Sequence, residues 1–318
     1  MPPILIWIFS VGMIVLNSGV VSGQNYPNKP IRIVSADIGG NTDFNARIVA
    51  QGLASSLGQP VIVDNRPNGV IPGEIVTKAL PDGYTLLVYS DIVWIGPLLE
   101  KAPYDPVRDF SPITLATRVP NILVVHPLLA VNSVRELIAL AKAKPGELNY
   151  AATGIGSSSY LAAELFKSLS KVNIVQIPYK GVAQALNDLI GGRVQLMIPV
   201  AGAAAPHIKV GKLRALAIAN AAPSALFPDL PTVAASGLPG YEVATNQGVF
   251  APAKTPSSII NRLNREIVGI LSRSDVKERF FNAGSDVVGS SSSEFSAKIK
   301  SDVIKWGNVI KDAGIRAD

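Results

Sequence analysis

The 318-residue sequence contains no cysteine and only two histidines. The lack of cysteine excludes disulfides, a thiolate nucleophile and a cysteine-ligated metal, and with them a small disulfide-stabilised secreted domain. His126 and His207 lie far apart in the sequence and lack the spacing of metal ligands. Gly-x-Ser-x-Gly, the P-loop and a complete Gly-x-Gly-x-x-Gly are also missing. We therefore expect no metal, no cofactor and no enzymatic activity.

Charged residues are scarce as well, at 16%, whereas 48% of the residues are hydrophobic. This balance supports a sizeable core and excludes a disordered chain. The formal net charge is +6, but no run of Lys and Arg is longer than two. Because a nucleic-acid interface concentrates its positive charge on one patch, the sequence predicts no nucleic-acid partner.

The one long apolar segment lies at the N-terminus, where no charged side chain precedes Lys29. Val21 and Gly23 stand at the −3 and −1 positions of a cleavage site, which predicts a signal peptide at residues 1–23 and export to a bacterial periplasm. The rival interpretation is a membrane anchor, since the apolar run is only just long enough to span a bilayer.

Short β-branched segments alternate with amphipathic helical segments along the rest of the chain, which predicts an α/β fold. Ser133 and Glu136 form a capping box at the start of one helix. Thr255, followed by a proline, is expected to cap a later helix. Two such series predict two lobes. Lobe 1 would comprise residues 24–122 and 247–318, with the C-terminal helices packed back onto it, and lobe 2 residues 123–246.

Two similar strand-to-helix loops carry the residues best suited to bind an anion: Gly40, Asn41, Thr42 and Asp43 in the first, and Gly154, Ser157, Ser158 and Ser159 in the second. Glycine lets the backbone approach a ligand, and helix starts attract negative charge. Such loops also occur as purely structural turns, and the residues alone leave both interpretations open. Asp43 either caps its helix or accepts a hydrogen bond from a ligand amine or hydroxyl.

Several short sequence motifs occur once each, in a characteristic order, along nearly the whole mature chain. They are YPNKPIR at 26–32, GQPV at 58–61, DNRP at 64–67, PDGYTL at 81–86, PYKG at 178–181, GKLRAL at 211–216 and LPTV at 230–233. Together they resemble the Bug family, the TctC-like extracytoplasmic solute receptors of tripartite tricarboxylate transport systems.

The resemblance implies a type II periplasmic-binding-protein fold with two lobes and a hinged ligand cleft. It also implies a monomer that binds a small carboxylate and hands it to membrane transporter subunits. The first glycine loop would form one wall of the cleft and the second loop the other. Tyr160 would lie nearby, with Tyr179 and Asn121 at the cleft edge.

Departures from the family pattern fall around the cleft and suggest an altered ligand. Ala36-Asp37-Ile38 replaces an aromatic residue and prolines, Tyr160 stands where histidine is common, and the segment 91–94 is unusual. One hypothesis is an aromatic carboxylate stacked near Trp94. Two other functions stay open: an exported α/β hydrolase that uses a serine of residues 157–159, and a ligand sensor for a membrane signalling partner.

Overall fold

The computed structural model describes residues 26–312 and Gly314, apart from Asp37, Gly40, Asn68 and residues 154–156. The predicted signal peptide lies outside the described residues. None of the helices in this described part is both long enough and apolar enough to span a bilayer.

The described residues form a mixed α/β fold with two sheets and helices on their faces. The strands are β1 (Ile31–Ser35), β2 (Val61–Asn65), β3 (Thr85–Ser90), β4 (Phe110–Pro120), β5 (Ile122–Val125), β6 (Asn149–Thr153), β7 (Val175–Tyr179), β8 (Leu196–Met197), β9 (Arg214–Ile218), β10 (Ala244–Pro252) and β11 (Asp286–Val287). The helices are α1 (Asn41–Leu57), α2 (Ile71–Thr77), α3 (Ile92–Ile95), α4 (Val134–Ala143), α5 (Ser158–Ser170), α6 (Val182–Ile190), α7 (Ala201–Lys209), α8 (Ser257–Ser272), α9 (Ser274–Asn282) and α10 (Ser292–Asp312).

The first sheet has the strand order β11-β4-β10-β3-β1-β2 within the described residues. β1 pairs in parallel with β2 and β3, whereas β10 runs antiparallel to both β3 and β4. β1 and β3 are buried and mostly apolar, as expected for strands covered on both faces, whereas β10 also carries buried Asn246 and Gln247. One face packs against α1, α8 and α9 through an apolar cluster that includes Ile33, Leu53 and Leu263.

The second sheet has the order β7-β6-β8-β5-β9 in the same described part of the chain. The chain therefore passes from the first sheet to the second between β4 and β5, and returns between β9 and β10. The predicted two-lobe α/β fold is confirmed. The lobe boundaries at 122/123 and 246/247 stay a prediction, and β10 already begins at Ala244.

The C-terminal helices return to the first sheet, and α10 also reaches the second lobe. It packs against β4, α3 and α8 on one side and α5 on the other. Phe295 on α10 contacts Trp94 and Phe250, with ring centroids 5.7 and 4.9 Å away. A single apolar cluster thus joins α3, β10 and α10 beneath the junction of the two sheets.

Two predicted helix starts have opposite outcomes. Ser133 caps α4 by accepting a hydrogen bond from the Glu136 backbone N–H at 3.2 Å, as expected. The Thr255 prediction is wrong, because its hydroxyl donates to the Pro252 carbonyl at 2.8 Å and α8 begins at Ser257. No helix N–H group among the described residues donates to the Thr255 hydroxyl, and Pro256 occupies the N-cap position of α8.

Candidate functional site

A cavity of about 190 Å³ lies where the two lobes meet. The end of β3 and α3 form its first-lobe wall, and the start of α5 forms its second-lobe wall. The start of β10 and Trp306 of α10 close the floor. The cavity is lined by both polar and apolar groups, and pockets of this kind at lobe interfaces are the usual place for a small ligand.

The second-lobe wall contains three consecutive serines, and their hydroxyl groups differ in the hydrogen bonds that they form. Ser157 caps α5: its hydroxyl accepts from the Tyr160 N–H at 3.2 Å and donates to the Thr153 carbonyl at 3.1 Å. Ser159 is buried and accepts from the Thr153 N–H at 3.3 Å. The hydroxyl of Ser158 lines the cavity and has no partner among the described residues. Of the three predicted serines, Ser158 is therefore the one free to bind a ligand.

The helix start adds further donors to this wall. The first N–H groups of an α-helix have no intrahelical acceptor, and Ser157 satisfies only that of Tyr160. The backbone N–H groups of Ser158 and Ser159 remain at the positive end of the helix dipole. An anion at the start of α5 would meet these donors together with a free hydroxyl.

The first-lobe wall contains Ser90 and Asp91. From the sequence, the segment 91–94 is a departure around the cleft, but neither residue is predicted to have a binding role. Asp91 is held by β10: its N–H donates to the Asn246 carbonyl at 3.0 Å, and its Oδ2 accepts from the Asn246 N–H at 2.9 Å. Its own carbonyl accepts from the N–H groups of Trp94 and Ile95. The side chain makes no capping hydrogen bond to α3. The structure thus fixes Asp91 firmly without using its carboxylate as a helix cap.

The electrostatic environment of Asp91 is unusual for a carboxylate. Burial raises its pKa from the ordinary value to about 7. Hydrogen bonds from Asn246 oppose this rise, the nearby Asp302 reinforces it, and Lys298 opposes it. Asp91 therefore exchanges its proton near neutral pH, where an ordinary aspartate is ionised.

Asp43, in the first predicted loop, is the opposite case. It is 3% exposed, and its Oδ2 accepts from the Gly39 N–H and Arg47 Nε, both at 3.0 Å. Its Oδ1 accepts from Asn65 Nδ2 at 2.9 Å. Burial alone would raise the pKa of Asp43, but these hydrogen bonds outweigh it and hold the pKa below its ordinary value. The carboxylate ties the loop after β1 to α1 and β2.

The other first-loop residues lie at the carboxyl edge of the first sheet. Asn41 is exposed and Thr42 is buried, and neither is among the described residues that line the cavity. Ser35 Oγ and Gln247 Oε1, at the same edge, are buried without a hydrogen-bond partner among the described residues. Buried polar groups of this kind ordinarily bind water or a ligand.

The remaining predicted site residues are placed around the second sheet. Tyr160 is buried in the apolar core. Tyr179 pairs in register with Thr153, beside the second loop, and its hydroxyl donates to Asp188 at 2.9 Å. Asn121 lies between β4 and β5, where its amide donates to the Ile198 carbonyl and its Oδ1 is unpaired among the described residues. These roles stay predictions, and Gly40 and Gly154 lie outside the described residues.

Trp94 does not offer the stacking surface that the sequence suggested. It is fully buried, and its indole donates to Asp302 Oδ2 at 3.1 Å. Trp306 lines the cavity instead. The turn of α3 carries Trp94 inward against Phe250 and Phe295, where burial of a large aromatic surface stabilises the junction.

The serines of the second loop lack the partners of a hydrolytic nucleophile. Among the described residues, neither His126 nor His207 forms a hydrogen bond with them. His126 instead accepts from the Leu128 N–H at 3.2 Å. A serine nucleophile needs an adjacent base. The described residues also contain no group of three His, Asp or Glu side chains that could hold a metal ion.

Comparisons with known proteins agree with this geometry. Residues 45–315 match the tripartite tricarboxylate transporter family receptor, TctC. Protein BugT of Bordetella pertussis is 37% identical over 315 residues, which cover 96% of this chain and 97% of BugT. The structure of Rhodopseudomonas palustris Rpa4515 with adipate is 35% identical, with a TM-score of 0.73 over 92% of this chain and 99% of that one. MatC of the same organism with bound malate is 30% identical, with a TM-score of 0.69 over 90% of this chain and 100% of MatC. The chain belongs to the TctC family of tripartite tricarboxylate transporter receptors.

Proposed function

We propose that the protein is a periplasmic receptor that captures a small organic carboxylate between its lobes for the membrane subunits of a tripartite tricarboxylate transporter. Family membership and the relatives that bind adipate and malate support this proposal. The observation that carries it in this chain is the free hydroxyl of Ser158, which lines the cavity at the start of α5.

The chemistry of this wall suits a carboxylate. A hydrogen bond to a charged group is worth about 1.5–3 kcal/mol, roughly twice a neutral one. The Ser158 hydroxyl and the backbone N–H groups of Ser158 and Ser159 have no acceptor among the described residues, so this helix start has donors available for an anion. Leu161, Val243 and Trp306 provide apolar surface for the body of the ligand. The cavity therefore selects a small molecule with one anionic end.

The test is a fluorescence titration of the chain from Gln24, in which Trp306 of the cavity reports binding. Adipate, malate and hexanoate are compared with hexanamide, the neutral analogue of hexanoate. Because one charge-assisted hydrogen bond is lost, Ser158→Ala is expected to weaken carboxylate binding by about ten- to a hundredfold. Ser168→Ala, near the other end of α5, is the matched control and should bind as the wild type does. Equal affinity for hexanoate and hexanamide would contradict the proposal.

A further inference from the structure

Asp91 is the sole ionisable side chain among the described residues that line the cavity. It stands on the first-lobe wall, whereas the donors for a carboxylate stand on the second-lobe wall. Its Oδ2 is occupied by Asn246, but Oδ1 accepts no hydrogen bond from any described residue. The cavity thus has hydrogen-bond donors on one wall. On the other wall it has a carboxylate with one oxygen occupied by Asn246 and one oxygen available to a ligand.

The cations close to Asp91 are already paired with other acids. Lys298 lies 3.0 Å from Asp302 and 3.5 Å from Glu242. Lys305 lies 3.8 Å from Asp302 and donates to the Glu242 carbonyl at 3.0 Å. No described residue forms an ion pair with Asp91 itself.

The groups that face Asp91 come from three directions. α10 contributes Asp302, Lys298 and Lys305, and β10 contributes the amide of Asn246. α5 brings only serines and an apolar residue to the cavity. A partly buried carboxylate without a cationic partner is costly, and a donor from a ligand would relieve that cost.

We propose that Asp91 determines ligand specificity, so that the receptor takes carboxylates bearing an ammonium or hydroxyl donor that hydrogen-bonds to Asp91 Oδ1. This rests on the proposed function, since the carboxylate of the same ligand occupies the start of α5. The ligand class is an amino or hydroxy acid with a short apolar body, which packs on Leu161, Val243 and Trp306. A simple alkanoate leaves Asp91 unpaired and binds more weakly.

The test uses six-carbon acids that differ only in the donor. Hexanoate is the reference, and 2-aminohexanoate, 2-hydroxyhexanoate, 6-aminohexanoate and adipate are compared with it by calorimetry. The wild type is expected to bind at least one donor-bearing acid about tenfold or more tightly than hexanoate at about pH 8, where Asp91 is ionised. The comparison of the amino with the hydroxy acid identifies the donor, and that of the two amino acids identifies its position.

The preference should also depend on pH, because protonation of Asp91 removes the ionised acceptor. It should shrink at about pH 6, while the alkylammonium groups of the ligands stay charged. Asp91→Asn places an amide donor in the cavity and is expected to abolish both the preference and its pH dependence. Asp229→Asn, at an exposed position outside the cavity, is the control and should keep both.

The outcomes separate the two proposals. If hexanoate binds as tightly as every donor-bearing acid, or if Asp91→Asn keeps the preference, the specificity proposal is wrong while carboxylate capture stands. Tighter binding of adipate than of any donor-bearing acid at about pH 8 also overturns it. If no acid in the series binds, hexanoate included, the proposed function fails and the specificity proposal fails with it.

Discussion

Asp43 and Asp91 occupy comparable places in the first lobe and have opposite environments. Each follows a strand of the same sheet, β1 or β3, at the start of a helix. Asp43 is surrounded by the Gly39 N–H, Arg47 and Asn65, which hold its pKa below the ordinary value. Asp91 accepts from Asn246 alone among the residues that the structure describes, and burial raises its pKa to about 7.

The difference shows that the number of donors, rather than the residue type or its position after a strand, decides the role of a buried carboxylate. A carboxylate has about four lone-pair sites. When three donors occupy most of these sites, as at Asp43, the carboxylate stabilises the fold and has little remaining capacity to accept from a ligand. A carboxylate with one free oxygen at a cavity, as at Asp91, is destabilised until a donor arrives.

The largest expected effect comes from Asp43→Ala, which leaves the Gly39 N–H and the Asn65 amide without their acceptor. Asp43 is itself buried, and a hydrogen bond to a charged group contributes about 1.5–3 kcal/mol. We therefore expect the free energy of unfolding, measured by urea denaturation without ligand, to fall by about 2–4 kcal/mol. Arg47→Ala is the control: its side chain is 54% exposed, so it should cost less than about 1 kcal/mol. Equal losses in the two variants would show that Asp43 is not the centre of the network.

Much of the fold follows from local sequence signals. The alternation of strand and helix patterns predicted the α/β architecture, and Ser133 marks the start of α4 because the capping hydroxyl and the backbone N–H that donates to it are three residues apart. Thr255 shows the limit of such signals. Its hydroxyl donates to the Pro252 carbonyl behind it, and α8 begins only at Ser257 with Pro256 at the N-cap position.

The sequence assigned binding roles on one wall of the candidate cavity, the serine wall, and marked the segment 91–94 around the cleft without a role for Asp91. The serines at 157–159 are visible because they are consecutive at a helix start. The position and pKa of Asp91 depend on Asn246, which is 155 positions further along the chain, and on the charged residues of α10. The short α3 also decides which tryptophan meets the cavity, since it turns Trp94 into the core and leaves Trp306 at the cavity floor. Such pairings depend on topology, which periodicity alone does not give.

A smaller effect is expected for Asp91→Asn, and its sign depends on pH. The pKa of Asp91 is about 7 in the folded protein and about 4 when unfolded, so the unfolded chain releases this proton first. Asp91 therefore lowers stability progressively as pH rises from about 4 to about 7. Asp91→Asn should unfold with the wild-type free energy at about pH 4 and be more stable by about 1–2 kcal/mol at about pH 8.

Urea denaturation at the two pH values measures this difference. Asp229→Asn, at an exposed position without an ion pair among the described residues, controls for the general effect of removing one negative charge. If Asp91→Asn is less stable than the wild type at about pH 8, its carboxylate is stabilised by the fold, and the contrast with Asp43 disappears.

The smallest expected effect is a difference in unfolding free energy between alanine variants of two neighbouring serines in the second lobe. Ser157 is committed to the Tyr160 N–H and the Thr153 carbonyl, whereas Ser158 has no partner among the described residues. Without ligand, Ser157→Ala should lower the free energy of unfolding by about 1 kcal/mol, the usual cost of losing an N-cap, and Ser158→Ala should change it by less than about 0.5 kcal/mol. Thermal denaturation of both variants with and without a bound acid completes the comparison. Only Ser158→Ala should combine near-wild-type stability with loss of the ligand-induced shift, because a hydroxyl that the fold does not use can be removed without cost until a ligand needs it.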